Sequence, residues 1–168
     1  MKNFKKLVLA GMLLGAVSAS ASLNITTGAV SLKDGGSGPS VGINLTGEKQ
    51  VLFDDFYIGA GIGGEFFKAE IANGEKELGF VLDVYPTIGY KIGDFEVLGL
   101  VGYSWGAIDT AGTAYYSGLT YGASLNYNFT ENFGMGLNYK HTDANASDSK
   151  KFKDSEMDRY SLNFKWTY

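Results

Sequence analysis

The sequence predicts an all-β fold, an eight-stranded antiparallel up-and-down transmembrane β-barrel, and three observations support this prediction. Bulky apolar residues alternate with small or polar residues through eight strand-like runs. Tight turns and longer polar connections follow these runs, as expected for neighbouring hairpins. Aromatic residues recur ten positions apart on the bulky face, for example at Phe80 and Tyr90. No apolar run after Val17 approaches the ~18 residues of a spanning helix, which excludes a helical membrane protein.

The first 21 residues have the organisation of a secretory signal peptide. Lys2, Lys5 and Lys6 precede the eleven-residue apolar run from Leu7 to Val17, and the small residues of Ala19–Ala21 suit cleavage by signal peptidase. The run is shorter than the ~20 residues that span a membrane. We therefore divide the chain into a signal peptide over residues 1–21 and one barrel domain over residues 22–168.

Charge and cysteine content exclude other classes. Without the three lysines of the first 21 residues, 11 basic residues remain against 18 acidic ones. This negative balance disfavours nucleic acid, whose phosphates need a basic surface. The chain has no cysteine, so neither disulfides nor thiolate-bound metals are expected. No spaced set of histidines and carboxylates indicates a metal site, and we expect no cofactor.

The strands follow one another along the chain, each bounded by turn-forming residues. In order they are predicted at residues 23–32, 41–47, 56–69, 78–92, 95–107, 115–129, 133–142 and in a last run that ends at Tyr168. Strand five is irregular because Leu98 and Leu100 would face inward, and strand one alternates weakly. Connections after strands four and six are two or three residues long, whereas those after strands one, three, five and seven are polar and longer, with a loop expected from Asp143 to about Asp158. This asymmetry is typical of an outer-membrane barrel with both termini in the periplasm.

The bulky face is predicted to contact lipid. A soluble eight-stranded barrel would bury that face and expose glycine, asparagine, threonine and serine. Ten residues at ~3.3 Å, tilted by ~40°, rise about 25 Å, which is the height of the apolar band between two aromatic girdles. Phe56 and Phe66, and Phe95 and Trp105, share this spacing. Closing the ring also satisfies every backbone group in hydrocarbon.

The opposite face would line a narrow lumen. Inward glycines leave room there for inward aromatic rings. The same alternation places seven charged residues inside, at Glu65, Asp83, Lys91, Glu96, Lys140, Arg159 and Lys165. Because unpaired buried charge is costly, we expect these residues to pair and plug the lumen. Lys91 and Glu96 flank the Gly93-Asp94 turn symmetrically, so they should lie opposite each other. A proton or ion path is the alternative.

These features resemble the small outer-membrane barrels of Gram-negative bacteria: the OmpA-like transmembrane domain, the OmpX-like proteins and the opacity-type proteins. The resemblance covers residues 22–168 and rests on the signal peptide, the eight strands and the terminal "FKWTY". It implies that Phe164, Trp166 and Tyr168 are an assembly signal for the barrel-insertion machinery. It also implies lipid and lipopolysaccharide as partners, and periplasmic chaperones during assembly. We expect no peptidoglycan-binding domain after Tyr168, unlike in OmpA-like proteins, and the loops are short for an opacity-type adhesin.

Two further patterns bear on chemistry. Some small barrels are lipid A-modifying enzymes, and one such deacylase family uses a histidine with a nearby serine on the outer rim. Here His141 faces outward near that rim, but Thr142 and Asp143 follow it and Tyr121 is expected across the hairpin, so a nucleophile is missing. The string "DANAS" makes Asn145 a possible glycosylation acceptor in a loop.

The sequence therefore predicts a non-enzymatic barrel with a structural or surface-interaction role. The alternatives are a small pore, a lipid A-modifying enzyme and a soluble ligand-binding barrel.

Overall fold

The described residues form eight antiparallel strands that close into one barrel in chain order, which confirms the predicted fold class. The computed structural model describes residues 20–33, 35–50, 55–70, 76–109, 113–147 and 155–168. The strands are β1 (Ser20–Leu32), β2 (Ser37–Gln50), β3 (Phe56–Glu70), β4 (Lys76–Ile92), β5 (Phe95–Ile108), β6 (Ala114–Asn128), β7 (Phe133–Ser147) and β8 (Ser155–Thr167). No helix in these ranges is long and apolar enough to cross a membrane.

The ring closes where the last strand pairs with the first. Leu23 lies opposite Trp166 and Ala29 lies opposite Tyr160 in the β1–β8 ladder. The Tyr168 N–H donates a further hydrogen bond to the Ala21 carbonyl over 2.9 Å. Every strand therefore has two neighbours, which is what the water-free interior of a bilayer requires of a sheet.

Several predicted strand boundaries require correction. The Gly93-Asp94 turn is confirmed, and Gly93 adopts a φ of 60°, a left-handed conformation that favours glycine. The loop expected from Asp143 to Asp158 is wrong, because β7 runs to Ser147 and Asp143 pairs with Glu156 of β8. Strand β2 likewise continues through Gln50. In both strands the alternation of inward and outward side chains continues through polar residues, and these polar residues had suggested a turn.

The predicted signal peptide lies outside the described residues up to position 19. Strand β1 begins at Ser20, two residues before the predicted mature N-terminus. The cleavage site therefore stays a prediction.

The bulky side chains point outward around the barrel. In β2, Val41, Ile43 and Leu45 are each more than half exposed. Phe66 and Phe80 lie side by side on β3 and β4, with ring centroids 6.5 Å apart. Water-soluble monomers rarely expose a continuous surface of bulky apolar side chains, and this surface matches the lipid-facing band of a transmembrane barrel.

Glycines face the inward aromatic rings across the ladders. Among the described residues these pairs are Tyr57 with Gly89, Tyr85 with Gly61, Phe67 with Gly79, and Tyr116 with Gly106. A Cβ atom at Gly89 would overlap the ring of Tyr57, and one at Gly79 would overlap the ring of Phe67. The rings therefore occupy space that any larger residue would take, and this pairing fills the narrow lumen.

Candidate functional site

The lumen holds most of the charged residues that the sequence predicted to face inward, so it is the candidate site. We call the end with the connections after β1, β3, β5 and β7 the loop end, and the end with both chain termini the turn end. From the loop end to the turn end the described lumen contains an apolar layer and two charged layers, each of which brings together side chains from several strands.

The loop end is filled by an apolar cap. Its members are buried and are contributed by every strand except β2: Val30, Leu32, Phe67, Ala69, Val81, Ile108, Ala114, Tyr116, Ala144 and Met157. The hydroxyl of Tyr116 donates to the Phe80 carbonyl over 2.9 Å, so its one polar group is satisfied. Among the described residues, this packed apolar layer reduces the polar surface along which water or ions could pass at the loop end, where Ser40 of β2 adds a buried hydroxyl opposite Phe67.

Below the cap lies the Arg159 cluster, made of Glu65, Asp83, Lys140 and Arg159. The Asp83 carboxylate is its centre: Arg159 donates to it from Nη1 over 2.8 Å and from Nη2 over 3.0 Å. Lys140 Nζ donates to the same carboxylate over 2.9 Å. Glu65 Oε2 lies 3.5 Å from Arg159 Nη1. Two acids therefore balance two bases, and the side chains of Asp83 and Arg159 are only 4% and 2% exposed.

Hydroxyl groups extend the Arg159 cluster into a belt around the inner wall. Ser104 Oγ donates to Asp83 Oδ1 over 2.5 Å and is also hydrogen-bonded to Thr120. Thr120 and Thr142 share a hydrogen bond of 2.8 Å, and Arg159 Nη2 donates to Thr142 Oγ1 over 3.1 Å. The belt runs from β4 through β5, β6 and β7 to β8 and returns to β4 through the Arg159–Asp83 pair. It ties five consecutive strands together through side chains.

The turn end contains the Lys165 cluster, made of Glu48, Tyr57, Glu96 and Lys165. Lys165 Nζ donates to both oxygens of Glu96, over 2.8 and 2.7 Å. Tyr57 donates its hydroxyl hydrogen to Glu96 over 2.5 Å. Glu48 Oε1 lies 3.6 Å from the same ammonium group. The Glu96 side chain is completely buried, so the Lys165 cluster narrows the lumen on the turn-end side of the Arg159 cluster.

The expected Lys91–Glu96 ion pair is not the one that forms. The two residues do lie opposite each other in the β4–β5 ladder. However, the Glu96 carboxylate is held by Lys165 of β8, whereas Lys91 is exposed and its Nζ lies 5.6 Å from the centre of the Tyr57 ring. The positions of the two lysines explain this difference. Lys91 lies at the turn end, where its long side chain reaches water, whereas Lys165 points across the barrel into the interior.

Sequence reasoning missed Glu48, which belongs to the Lys165 cluster. The segment around it was read as a connection, since charged residues follow Gly47. The signal was nevertheless present, because Asn44, Thr46 and Glu48 continue the inward alternation of β2.

On the outside, His141 is held by two carboxylates. Its Nδ1 lies 2.8 Å from Asp158 Oδ1 and its Nε2 lies 3.2 Å from Asp143 Oδ1. Tyr121 lies across the hairpin as predicted, with its ring 5.0 Å from the imidazole. Both ring nitrogens therefore have acidic partners, and neither is directed at a hydroxyl that it could activate.

The remaining predicted positions lie on the outer surface. Phe164, Trp166 and Tyr168 project from the outer side of β8, where Trp166 packs on Phe133 with ring centroids 5.1 Å apart. Tyr168 is 76% exposed. Asn145 is exposed but lies within β7 opposite Ser117, not in the loop that the sequence suggested.

Comparison with known proteins places the fold. Neither a family model nor a curated relative matches the chain. Among solved structures, Ail, the attachment invasion locus protein of Yersinia pestis, is 15% identical with a TM-score of 0.63, over 90% of this chain and 100% of Ail. Neisserial surface protein A is 10% identical with a TM-score of 0.55, over 89% of this chain and 96% of that protein. The outer membrane enzyme PagL is 11% identical with a TM-score of 0.56, over 85% of this chain and 98% of PagL.

The chain thus has the fold of small eight-stranded outer-membrane barrels, in agreement with the resemblance drawn from the sequence. This fold is shared by a surface protein and by an enzyme, so fold alone does not assign an activity.

Proposed function

We propose that this chain is a non-enzymatic outer-membrane barrel protein with a structural or surface-interaction role. The observation that carries the proposal is the arrangement of the two faces: an apolar band outside and a lumen filled by an apolar cap and two ion-pair clusters inside. Apolar side chains that cover the outer wall are stable only in lipid, and a filled lumen serves neither transport nor ligand storage.

The competing functions fit these residues less well. A soluble ligand-binding barrel needs the bulky face inside, whereas Leu137 and Leu162 are exposed. A small pore needs a continuous wet path, which the cap and the clusters interrupt. A PagL-like enzyme needs an activated nucleophile, whereas both nitrogens of His141 face carboxylates.

The partners follow from the same arrangement. Outer-membrane lipid and lipopolysaccharide would cover the apolar band, with both termini in the periplasm. Ail, which shares this fold, was solved in complex with the heparin analogue sucrose octasulfate, and by analogy we propose that the outer loops of this chain contact the surroundings. Barrel-insertion machinery and periplasmic chaperones would act during assembly, reading Phe164, Trp166 and Tyr168.

Fractionation and electrophoresis test the proposal. The native protein should occur in outer-membrane fractions and migrate faster before heating than after, as folded barrels do. Purified protein in planar bilayers should show no steady conductance. A soluble periplasmic location would refute the membrane role, and porin-like conductance would favour the pore. Release of fatty acid from lipopolysaccharide that disappears in a His141→Phe variant would favour the enzyme.

Glycosylation of Asn145 is a separate proposal within this role. Asn145 is exposed and Asp143 stands two residues before it, as in acceptors of bacterial oligosaccharyltransferases. Intact-mass spectrometry of native protein and an Asn145→Gln variant tests it in a host that carries the pathway. A native mass equal to that of the bare polypeptide would remove the proposal, and retention of added mass in Asn145→Gln would place the modification elsewhere.

A further inference from the structure

The outward side chains of the β3–β4 and β7–β8 ladders match near the turn end and differ toward the loop end. Successive outward pairs are two residues apart along each strand, and at the turn end both ladders start with an aromatic pair. On β7–β8 four bulky pairs follow one another from the turn end: Phe133–Trp166, Met135–Phe164, Leu137–Leu162 and Tyr139–Tyr160. The fifth and sixth pairs are polar, His141–Asp158 and Asp143–Glu156. On β3–β4 the outward pairs stay apolar from Phe56–Tyr90 to Phe66–Phe80, which is the sixth.

The apolar band is therefore lower on one side of the barrel. Each step between outward pairs rises about 5 Å along the barrel axis, because two residues at ~3.3 Å are tilted by ~40°. The band is about 25 Å high on β3–β4 but only about 15 Å high on β7–β8. These two ladders lie on opposite sides of the eight-stranded ring. We call the polar surface on the loop-end side of the β7–β8 band the polar notch; it comprises His141, Asp143, Glu156 and Asp158, with Ser31 of β1 opposite Asp158.

The polar notch needs hydrogen-bond donors from its surroundings. His141 lies between Asp143 and Asp158, and the Tyr139 hydroxyl donates to Asp158 over 2.7 Å. The side chains of Asp143 and Asp158 are nevertheless 52% and 35% exposed on the outer wall. An ionised carboxylate only accepts hydrogen bonds, and hydrocarbon supplies no donor. Water or lipid headgroups therefore have to reach the notch.

A tilt of the whole barrel does not remove this mismatch, because tilting leaves the height of each band unchanged. A tilt large enough to lift the notch to the surface of a uniform bilayer would draw the turn end of β7–β8 inward by about 10 Å. Glu131 and Asn132, which precede β7 and are exposed, would then enter hydrocarbon, where polar groups are costly. A bilayer that thins beside the shorter band avoids this cost.

We propose that the polar notch is an interaction surface for lipid headgroups and interfacial water, which descend along β7–β8 and make the hydrocarbon layer thinner there than along β3–β4. The inference rests on the proposed outer-membrane role and assigns one side of the barrel as the place where the bilayer is deformed. The headgroups that fit are those with hydroxyl or ammonium donors, because the notch presents carboxylate oxygens as acceptors.

Site-directed spin labelling tests the proposal, and the chain has no cysteine of its own that would take up label. Asp143→Cys and Phe66→Cys place the label at the sixth outward pair on opposite sides, and Phe133→Cys and Phe56→Cys place it at the first pair. Each protein is folded into vesicles of phosphatidylethanolamine and phosphatidylglycerol. Collisions of the label with oxygen, which concentrates in hydrocarbon, are compared with collisions with a water-soluble nickel chelate. The ratio of oxygen to nickel collisions should be about tenfold lower for Asp143→Cys than for Phe66→Cys, whereas Phe133→Cys and Phe56→Cys should agree within about twofold.

A second pair of variants tests whether the polar side chains cause the thinning. His141→Leu combined with Asp158→Leu extends the apolar band by one outward pair, so headgroups should retreat toward the loop end. The oxygen-to-nickel ratio of the label in Asp143→Cys should then rise about threefold. His141→Asn combined with Asp158→Asn keeps the notch polar and should leave that ratio unchanged.

Three results would overturn the proposal. The first is a ratio for Asp143→Cys within twofold of that for Phe66→Cys while the latter label lies in hydrocarbon. The second is a Phe133→Cys label about tenfold richer in oxygen collisions than the Phe56→Cys label, which would show a tilted barrel in a uniform bilayer. The third is spin–spin broadening between Asp143→Cys labels, which would show a second copy of the chain covering the notch. A Phe66→Cys label in water would instead refute the proposed membrane role. Heat-modifiable migration checks the folding of each variant, and if the double leucine variant does not fold, the four single labels still decide the question.

Discussion

Replacement of Asp83 by asparagine should destabilise the barrel more than any other single change in the Arg159 cluster. Asp83 accepts three hydrogen bonds from Arg159 and Lys140, at 2.8, 3.0 and 2.9 Å, and a fourth from Ser104. The asparagine side chain would keep the shape of the aspartate but not its charge. Two buried cations would then share Glu65, which lies 3.5 Å from Arg159.

The magnitude follows from breaking a buried ion pair on one side. Removing one partner of such a pair typically costs about 3–5 kcal/mol because the other charge stays buried. We expect Asp83→Asn to lower the free energy of unfolding by about that amount. Arg159→Met should cost less, about 1.5–3 kcal/mol, since Asp83 keeps Lys140 and Ser104 as partners. The double variant should lose less than the sum, because the two residues interact directly.

Equilibrium urea unfolding in phospholipid vesicles, followed by tryptophan fluorescence, measures these differences. Lys33→Met is the matched control, because Lys33 and Glu156 form an ion pair whose side chains are 56% and 44% exposed. Exposed pairs contribute about 0–1 kcal/mol. If Asp83→Asn cost no more than Lys33→Met, or less than Arg159→Met, the assignment of Asp83 as the centre of the cluster would be wrong.

Three further substitutions probe the wall, the packing and the assembly signal. Leu162→Arg should lower the free energy of unfolding by about 2–4 kcal/mol because it places a charge in the lipid-facing band. The adjacent Ser161→Arg faces the lumen, so it should destabilise the barrel by crowding and not through contact with lipid. Gly79→Ala should cost about 1–3 kcal/mol in the same assay, since its Cβ would overlap the Phe67 ring, whereas the outward Gly64→Ala, 3.3 Å from Leu82, should be nearly neutral. Tyr168→Ala should leave the stability of refolded protein within about 0.5 kcal/mol of wild type but slow insertion in cells; equal pulse-chase rates, read by protease protection, would remove the signal role.

The inward and outward faces of most strands were predictable from the sequence, because a side-chain period of two is visible when one face contacts lipid. Alternation alone placed Asp83 and Arg159 inside and Leu162 outside, and the Gly93-Asp94 pair fixed one register directly. These features depend only on residues near one another in the chain.

The pairing of charges was not predictable, because it depends on how strands far apart in sequence are staggered around the ring. Lys165 reaches Glu96 across the lumen, from β8 to β5, although the residue beside Glu96 in the ladder is Lys91. Tilt and stagger of a closed barrel set such contacts, and a single sequence does not state them. The apolar cap was missed for a related reason: its residues come from seven strands and look unremarkable in each one.

The residues of the lumen explain how this chain selects one strand register. Contact with lipid alone favours every register that keeps the bulky face outward. A slip of one residue would turn the strand's inward groups outward, and each basic residue moved into the lipid midplane would cost about 2–4 kcal/mol. A slip of two residues keeps every side chain on the same face, so contact with lipid does not distinguish the slipped register from the native one.

The pairing of aromatic rings with glycines does distinguish the two registers. Tyr57 lies opposite Gly89, and an ordinary side chain at that position would overlap the Tyr57 ring. The Arg159 cluster adds a second test, since displacing β4 by two residues would separate Asp83 from both Arg159 and Ser104. Charges and glycines in the lumen thus specify the register that the apolar outside leaves open.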